Sequence, residues 1–232
     1  MILKELPLAR GPWLGILLSI AGELQAREAL DGALAALDSE DPWIRHLAAE
    51  ALGRLSEPEE AAPAREGGTV AEGAPLPEST AKRISRRLVE LLGRETHEAV
   101  IAAALSALVT SGTPEGMEAV RKVRAGSPSW RLRYWAVEAL ARSKEGRDSL
   151  ASALQDERRS VRERAAQLAD FRDHRALDAL IETSKGKPGE YLLLFQAGEK
   201  HRPLLIAALL GHPDPEVRLH AGAALRRLGH PE

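Results

Sequence analysis

The sequence predicts an all-α fold of stacked two-helix units, about six to seven of them in a single domain spanning 1–232, and three observations carry the prediction. The 232 residues include 39 Ala and 36 Leu but only eight aromatics, and small or unbranched side chains are good helix formers. One helical segment recurs along the chain. Its apolar residues return with helical rather than strand period.

The first apolar run, Trp13 to Ala21, follows Lys4 and Arg10. It has the charge order of a secretion signal but is far shorter than the roughly 20 residues needed to span a bilayer. No small-residue cleavage site precedes the polar Glu23-Leu24-Gln25. The expectation is a buried helix opened by Pro12 at a first-turn position, in a cytoplasmic protein with no membrane insertion.

The repeat begins at Trp43. Residues 43–52 (WIRHLAAEAL) lie over residues 131–140 (RLRYWAVEAL), with Arg, Ala, Glu, Ala and Leu identical. The same frame returns from Ser160 to Gln167 and from Glu216 to Leu225, and a weaker copy runs from Val100 to Leu108 with Ile101 in place of the arginine. The frame positions Arg45, Ile101, Arg133, Arg162 and Arg218 are 56, 32, 29 and 56 residues apart. One unit is therefore about 30 residues, the size of a helical hairpin, and each gap of 56 holds a further unit or an insertion.

Ahead of each framed helix the sequence predicts a leucine-rich partner helix: Ala29 to Leu37, Ser85 to Leu92, Leu150 to Leu154 and Leu204 to Leu210. Turns such as Ser39-Glu40-Asp41-Pro42 separate the two, since Pro and Asp stop one helix and start the next. Within the first framed helix Ile44, Ala48, Ala51, Leu52 and Leu55 form one apolar stripe, and its alanines allow close helix approach. A hairpin of this size cannot bury its stripe alone, so units must stack.

The pattern Asp-Pro-x-x-(Val/Ile)-Arg-x-x-Ala-Ala, read at Asp41 to Leu52-Gly53 and again at Asp214 to Leu225, resembles HEAT repeats of the short bacterial type also found in phycobilin lyases. The resemblance covers most of residues 12 to 229 and implies a right-handed α-solenoid, with framed helices lining its concave face and their arginines forming a ladder between units. It departs from the family at Ile101 and at Glu190 to Phe195, where a framed helix is due but the match is poor. On function it is nearly silent, because such repeats serve many proteins.

The segment 56–80, rich in Pro, Gly, Ala and Glu without an apolar stripe, is expected to be a mobile insertion loop. A solvated linker is the plainer account of it, a partner-binding segment the other.

Chemistry is sparse. The chain has no cysteine, which excludes disulfides, thiolate metal sites and cysteine nucleophiles. Its seven histidines form no HExxH and no pair at ligand spacing, and His97-Glu98 stands alone where helical-repeat hydroxylases use several such pairs. Phosphate-binding glycine loops and hydrolase elbows are absent. The expectation is a protein without catalytic residues, metal or cofactor.

The framed arginines are best read as scaffold. Arg45 and Arg218 follow Asp41 and Asp214 by four residues, so each can bridge the turn acid, cap free carbonyls or reach an acid of the neighbouring unit. Formal charge is only -2, yet residues 38–80 hold ten acids and three bases, whereas residues 121–175 hold fourteen bases and eight acids. Such asymmetry can steer a partner.

Residues opposite the apolar stripe are the candidate partner-binding set: His46, Glu50, Tyr134, Glu138, Glu163 and Gln167, flanked by Trp43, Arg131, Trp135, Arg142 and Arg164. Aromatic and arginine residues commonly anchor protein interfaces, and three of the eight aromatics fall between Trp130 and Trp135. Packing of Trp130 and Trp135 against neighbouring helices is an equal reading. The leading functional expectation is a scaffold or adaptor that binds another protein. A second, less favoured, is nucleic-acid binding of the kind seen in helical-repeat alkylated-base glycosylases, motivated by Arg131, Arg133, Arg142, Arg158, Arg159, Arg162 and Arg164 but opposed by the near-neutral charge. A bilin-lyase-like chaperone rests on repeat type alone.

Overall fold

The computed structural model describes residues 9–57, 76–168, 206, 210–211 and 215–227. The described residues are helix, turn and coil without a strand, and the chain divides into two compact units at Val123/Arg124.

In the first unit, α1 (Gly11–Glu23) opens with Pro12 in its first turn, where a missing N–H costs nothing. A 3₁₀ turn (Arg27–Ala29) leads into α2 (Leu30–Ala36), which matches the helix expected from Ala29 to Leu37 to within one residue at each end. The first framed helix, α3 (Pro42–Ser56), starts as expected: the Asp41 carboxylate accepts from the Trp43 N–H at 2.9 Å, and Pro42 occupies the first turn. All five stripe residues of α3 are buried, Ile44, Ala48, Ala51, Leu52 and Leu55 being no more than 2% exposed.

Small residues set how near the helices come. A Cβ on Gly22 of α1 would lie 3.1 Å from the Ala51 Cα, and one on Gly53 would lie 3.3 Å from Ala107 in α5 (Glu98–Thr110). α4 (Glu78–Arg94) is longer than the Ser85 to Leu92 expected of it. The insertion is correspondingly shorter than 56–80 at both ends, since Ser56 belongs to α3 and Glu78 to Thr80 to α4. Residues 58–75 lie outside the described ones. The helix α6 (Pro114–Gly126) runs across the division between units.

The second unit contains α7 (Trp130–Leu140), the short α8 (Lys144–Asp148), a 3₁₀ helix (Leu150–Gln155) where the leucine-rich helix is expected from Leu150 to Leu154, and α9 (Arg159–Leu168). Ala136, Val137 and Leu140 of α7 are buried, as are Leu150, Leu154, Val161 and Ala165. α10 (Pro215–Arg227) carries the last copy of the frame, with Ala221 and Leu225 buried. Residues 190–195 and most of 204–210 lie outside the described residues.

Within each unit the framed arginines tie one helical hairpin to the next in one repeated geometry. Arg45 Nη1 donates to the carbonyls of Ser39 and Glu40, at 2.8 and 2.9 Å. Arg133 does the same to Ser127 and Pro128, and Arg162 to Asp156 and Glu157. These are the residues six and five positions before each arginine, which is how a framed helix closes the turn that precedes it. The remaining guanidinium nitrogens of the first two reach forward to an acid in the next turn: Arg45 to Glu95, Arg133 to Asp156 and Glu157. The turn acid Asp41 is therefore a helix cap rather than the partner of Arg45. Glu95 and Asp156 each stand six residues before the following frame position, Ile101 and Arg162.

Candidate functional site

Each candidate residue lies on a framed helix or directly beside one, and none of the eleven is buried. On α3, Trp43 is 45% exposed. The His46 ring sits with Nδ1 3.2 Å from the Ala99 carbonyl and Nε2 3.5 Å from the Glu50 carboxylate. Glu50 is exposed one turn further on.

On the second unit the candidates converge more closely. Tyr134 and Trp135 meet edge to face, their ring centroids 5.7 Å apart at 88°, an arrangement that aligns the positive edge of one ring with the negative face of the other. Trp135 remains 43% exposed. One turn along α7, Glu138 accepts from Arg164 Nε of α9 at 2.5 Å, and Arg164 Nη1 donates to Gln167 at 2.9 Å. The Glu138 hydrogen bond holds the Arg164 guanidinium above its ordinary pKa. Glu163 is engaged with Arg159 at 2.7 Å. Tyr134, Trp135, Glu138, Arg164 and Gln167 thus form one patch carried by two packed helices, whereas Trp43, His46 and Glu50 form a separate patch on the first unit.

Arg131 and Arg142 are exposed. Arg131 lies 5.2 Å from the ring centroid of Trp130, and Arg158 lies 5.0 Å from the same ring. Two guanidinium groups therefore crowd one indole, each within cation–π range. Sequence spacing places Trp130 and Arg131 side by side but gives no sign that Arg158 shares the ring.

Reading the sequence misses one group altogether. Arg124, in the last turn of α6, has a buried Nε with no hydrogen-bond partner among the described residues, and burial pushes its pKa down, opposed by the nearby Asp156 carboxylate. Registering the turns of the two units against one another is the signal that could have found it.

Among the described residues no cluster of three or more His, Asp or Glu side chains could hold a metal ion, and no helix is long and apolar enough to cross a membrane.

The family model that matches the chain is described as HEAT repeats, and it matches residues 85–167 and 123–194. No curated protein matches. Among solved structures, the X-ray structure of the Escherichia coli protein YibA is similar at 16% identity, over 99% of this chain and 92% of that one, with a TM-score of 0.33.

Proposed function

Because the chain carries HEAT repeats through residues 85–194, we propose that it is a non-catalytic scaffold that binds another protein, with the α7/α9 face as its principal contact surface. The carrying observation is Trp135, 43% exposed and braced edge-on by Tyr134 in a chain with only eight aromatics. A rigid aromatic loses little conformational entropy on binding and contributes a large apolar area. Around it stand the Glu138, Arg164 and Gln167 side chains, already ordered by their own hydrogen bonds, which is the arrangement of a polar rim about an apolar anchor. HEAT repeats serve as protein-interaction scaffolds in general, and the absence of any catalytic motif in the sequence supports the same reading.

Affinity purification from the source cell, with wild-type protein and with Tyr134→Ala/Trp135→Ala, tests it. A specific partner captured by the wild type and lost by the double variant is the expected result. A partner retained unchanged would remove this face from the interface.

Nucleic-acid binding is the second reading, favoured by the two arginines on Trp130. Retention on duplex DNA at about 50 mM salt, falling steeply as salt rises, would promote it over the first.

A further inference from the structure

Each unit contains a cavity beside its arginine rung, and the two are built from corresponding residues. With Arg45 set against Arg133 and Glu95 against Asp156, all seven positions lining the first cavity recur in the lining of the second. Their contents differ in one direction. Leu37 and Leu91 of the first correspond to Ala125 and Ser152 of the second, and the volume rises from about 160 to about 470 Å³.

The charged lining changes as well. In the first cavity Asp38 accepts from Arg94 and, at 2.6 Å, from Arg87, and the Arg94 hydrogen bond, assisted by Arg87, holds its carboxyl below the ordinary carboxylate value. The arginines of this cavity are thus answered by a half-exposed carboxylate of their own chain. The position corresponding to Asp38 in the second cavity is Gly126, and Arg94 gives way to Gln155. An arginine is still present, because Arg124 lines this wall with its Nε buried and without an acceptor among the described residues.

Neither acid already in the second cavity meets that need. Both oxygens of Asp156 accept from Arg133, at 2.7 and 3.0 Å, and one accepts also from the Arg158 N–H. Glu157 is drawn to Arg133 and is 82% exposed. A guanidinium cannot shed its proton at any ordinary pH. Asp156 offers Arg124 a nearby countercharge but spends its hydrogen bonds on Arg133 and Arg158, so a further carboxylate in the cavity would bring the guanidinium both charge and an acceptor of its own.

We propose that the cavity between the end of α6 and the 3₁₀ helix 150–155 is a receptor for a carboxylate side chain of an acidic peptide segment, seated where Asp38 sits in the first unit, with Arg124 as its ion-pair partner and Gln155 as a rim donor. The proposal deepens the protein-binding reading and rests on it, by assigning the partner an exposed aspartate or glutamate.

The test is fluorescence anisotropy of a labelled tetra-aspartate peptide titrated with the full chain at about 50 mM salt, with tetra-asparagine and inorganic phosphate as competitors. Saturable binding is expected, resisted by neither competitor and weakened at least tenfold by Arg124→Gln. Gly126→Asp should weaken it equally, because it supplies the internal carboxylate, and a Cβ at Gly126 has nothing within 4 Å, so the fold tolerates it. Arg83→Gln, which removes the same charge from an exposed pair with Asp31, should leave binding unchanged. Thermal unfolding of each variant separates loss of the site from loss of the fold. No binding by the wild type, equal losses in Arg124→Gln and Arg83→Gln, or displacement by phosphate in preference to peptide would each overturn the assignment. Since the titration uses no cellular partner, its failure leaves the Trp135 experiment standing, and the converse holds.

Discussion

Arg45 and Glu95, fifty residues apart in the chain, share two hydrogen bonds: Nε to Oε2 at 2.6 Å and Nη2 to Oε1 at 3.0 Å. The Glu95 side chain is only 2% exposed, and its Oε1 also accepts from the N–H groups of Thr96 and His97. The pair therefore ties the turn ahead of α3 to the turn ahead of α5, and the carboxylate accepts four hydrogen bonds, three at Oε1 and one at Oε2.

Acid should release this tie. Arg45, then the backbone N–H groups, hold the Glu95 carboxyl at about 2 against an ordinary value of 4.5. The unfolded chain then binds the proton that the folded chain refuses. The pair's contribution is complete above pH 4.5 and disappears as the pH falls towards 2, a difference on the order of 3 kcal/mol. Urea midpoints measured from pH 6 down to pH 2.5 should decline more steeply in the wild type than in Glu95→Gln. Parallel declines would show that the acid limb belongs to other carboxylates.

The corresponding rung of the second unit is enclosed to a similar degree, with side-chain exposures of 7% for Arg133 and 9% for Asp156 against 15% and 2% for Arg45 and Glu95. Asp156→Asn should cost about 3 kcal/mol, because it leaves an enclosed guanidinium with only the exposed Glu157 as countercharge. Arg133→Lys should also be destabilising, since an ammonium cannot reproduce the fork that holds Asp156 and the Ser127 carbonyl together. Replacing both partners by apolar residues, Arg133→Met with Asp156→Leu, should recover most of the loss. Denaturant unfolding of the full double-mutant cycle measures the coupling, and additive costs would show that the rung is not a unit.

Much of this was legible in the sequence. Helical period alone picked out Ile44, Ala48, Ala51, Leu52 and Leu55, and all are buried, because a stripe that must be covered has one permissible face. The arginine contact with its own turn was equally legible, being local. The choice of acid was not: Glu95 lies fifty residues beyond Arg45, and only the stacking of one hairpin on the next decides which turn a guanidinium meets. The same limit explains the candidate site. Exposure of Gln167 follows from its place opposite the stripe and that of Trp43 and Trp135 from their place flanking it, while the Glu138–Arg164 bond joins two helices whose register no periodicity encodes. Glu78 to Thr80 read as loop because their composition continues that of the insertion, yet a helix beginning just after Pro77 absorbs them.

Close packing of α1 on α3 makes Gly15 a sensitive position. A Cβ there would lie 2.3 and 2.5 Å from Cζ3 and Cη2 of Trp43 and 2.9 Å from Cδ1 of Leu47, distances that real carbon atoms do not keep. Gly15→Ala should push the half-exposed indole outward, cost about 1–3 kcal/mol and shift its emission to the red. The spectral change should vanish when the same substitution is made beside Trp43→Phe. Unaltered emission and stability would mean that the ring finds room without leaving α1.

The Glu138–Arg164 pair should behave differently from both rungs. Its side chains are 28% and 30% exposed, so solvent screens the attraction and the pair contributes less than about 1 kcal/mol to folding. Its effect is on the surface it orders: Arg164 positions Gln167 and stands one helix away from Tyr134 and Trp135. Arg164→Met should therefore leave the unfolding midpoint nearly unchanged and weaken capture of a partner by several-fold, through faster dissociation. Surface plasmon resonance on a purified partner, paired with thermal unfolding, reads both quantities. A stability loss above about 2 kcal/mol with unchanged dissociation would make the pair a third structural rung and remove it from the binding face.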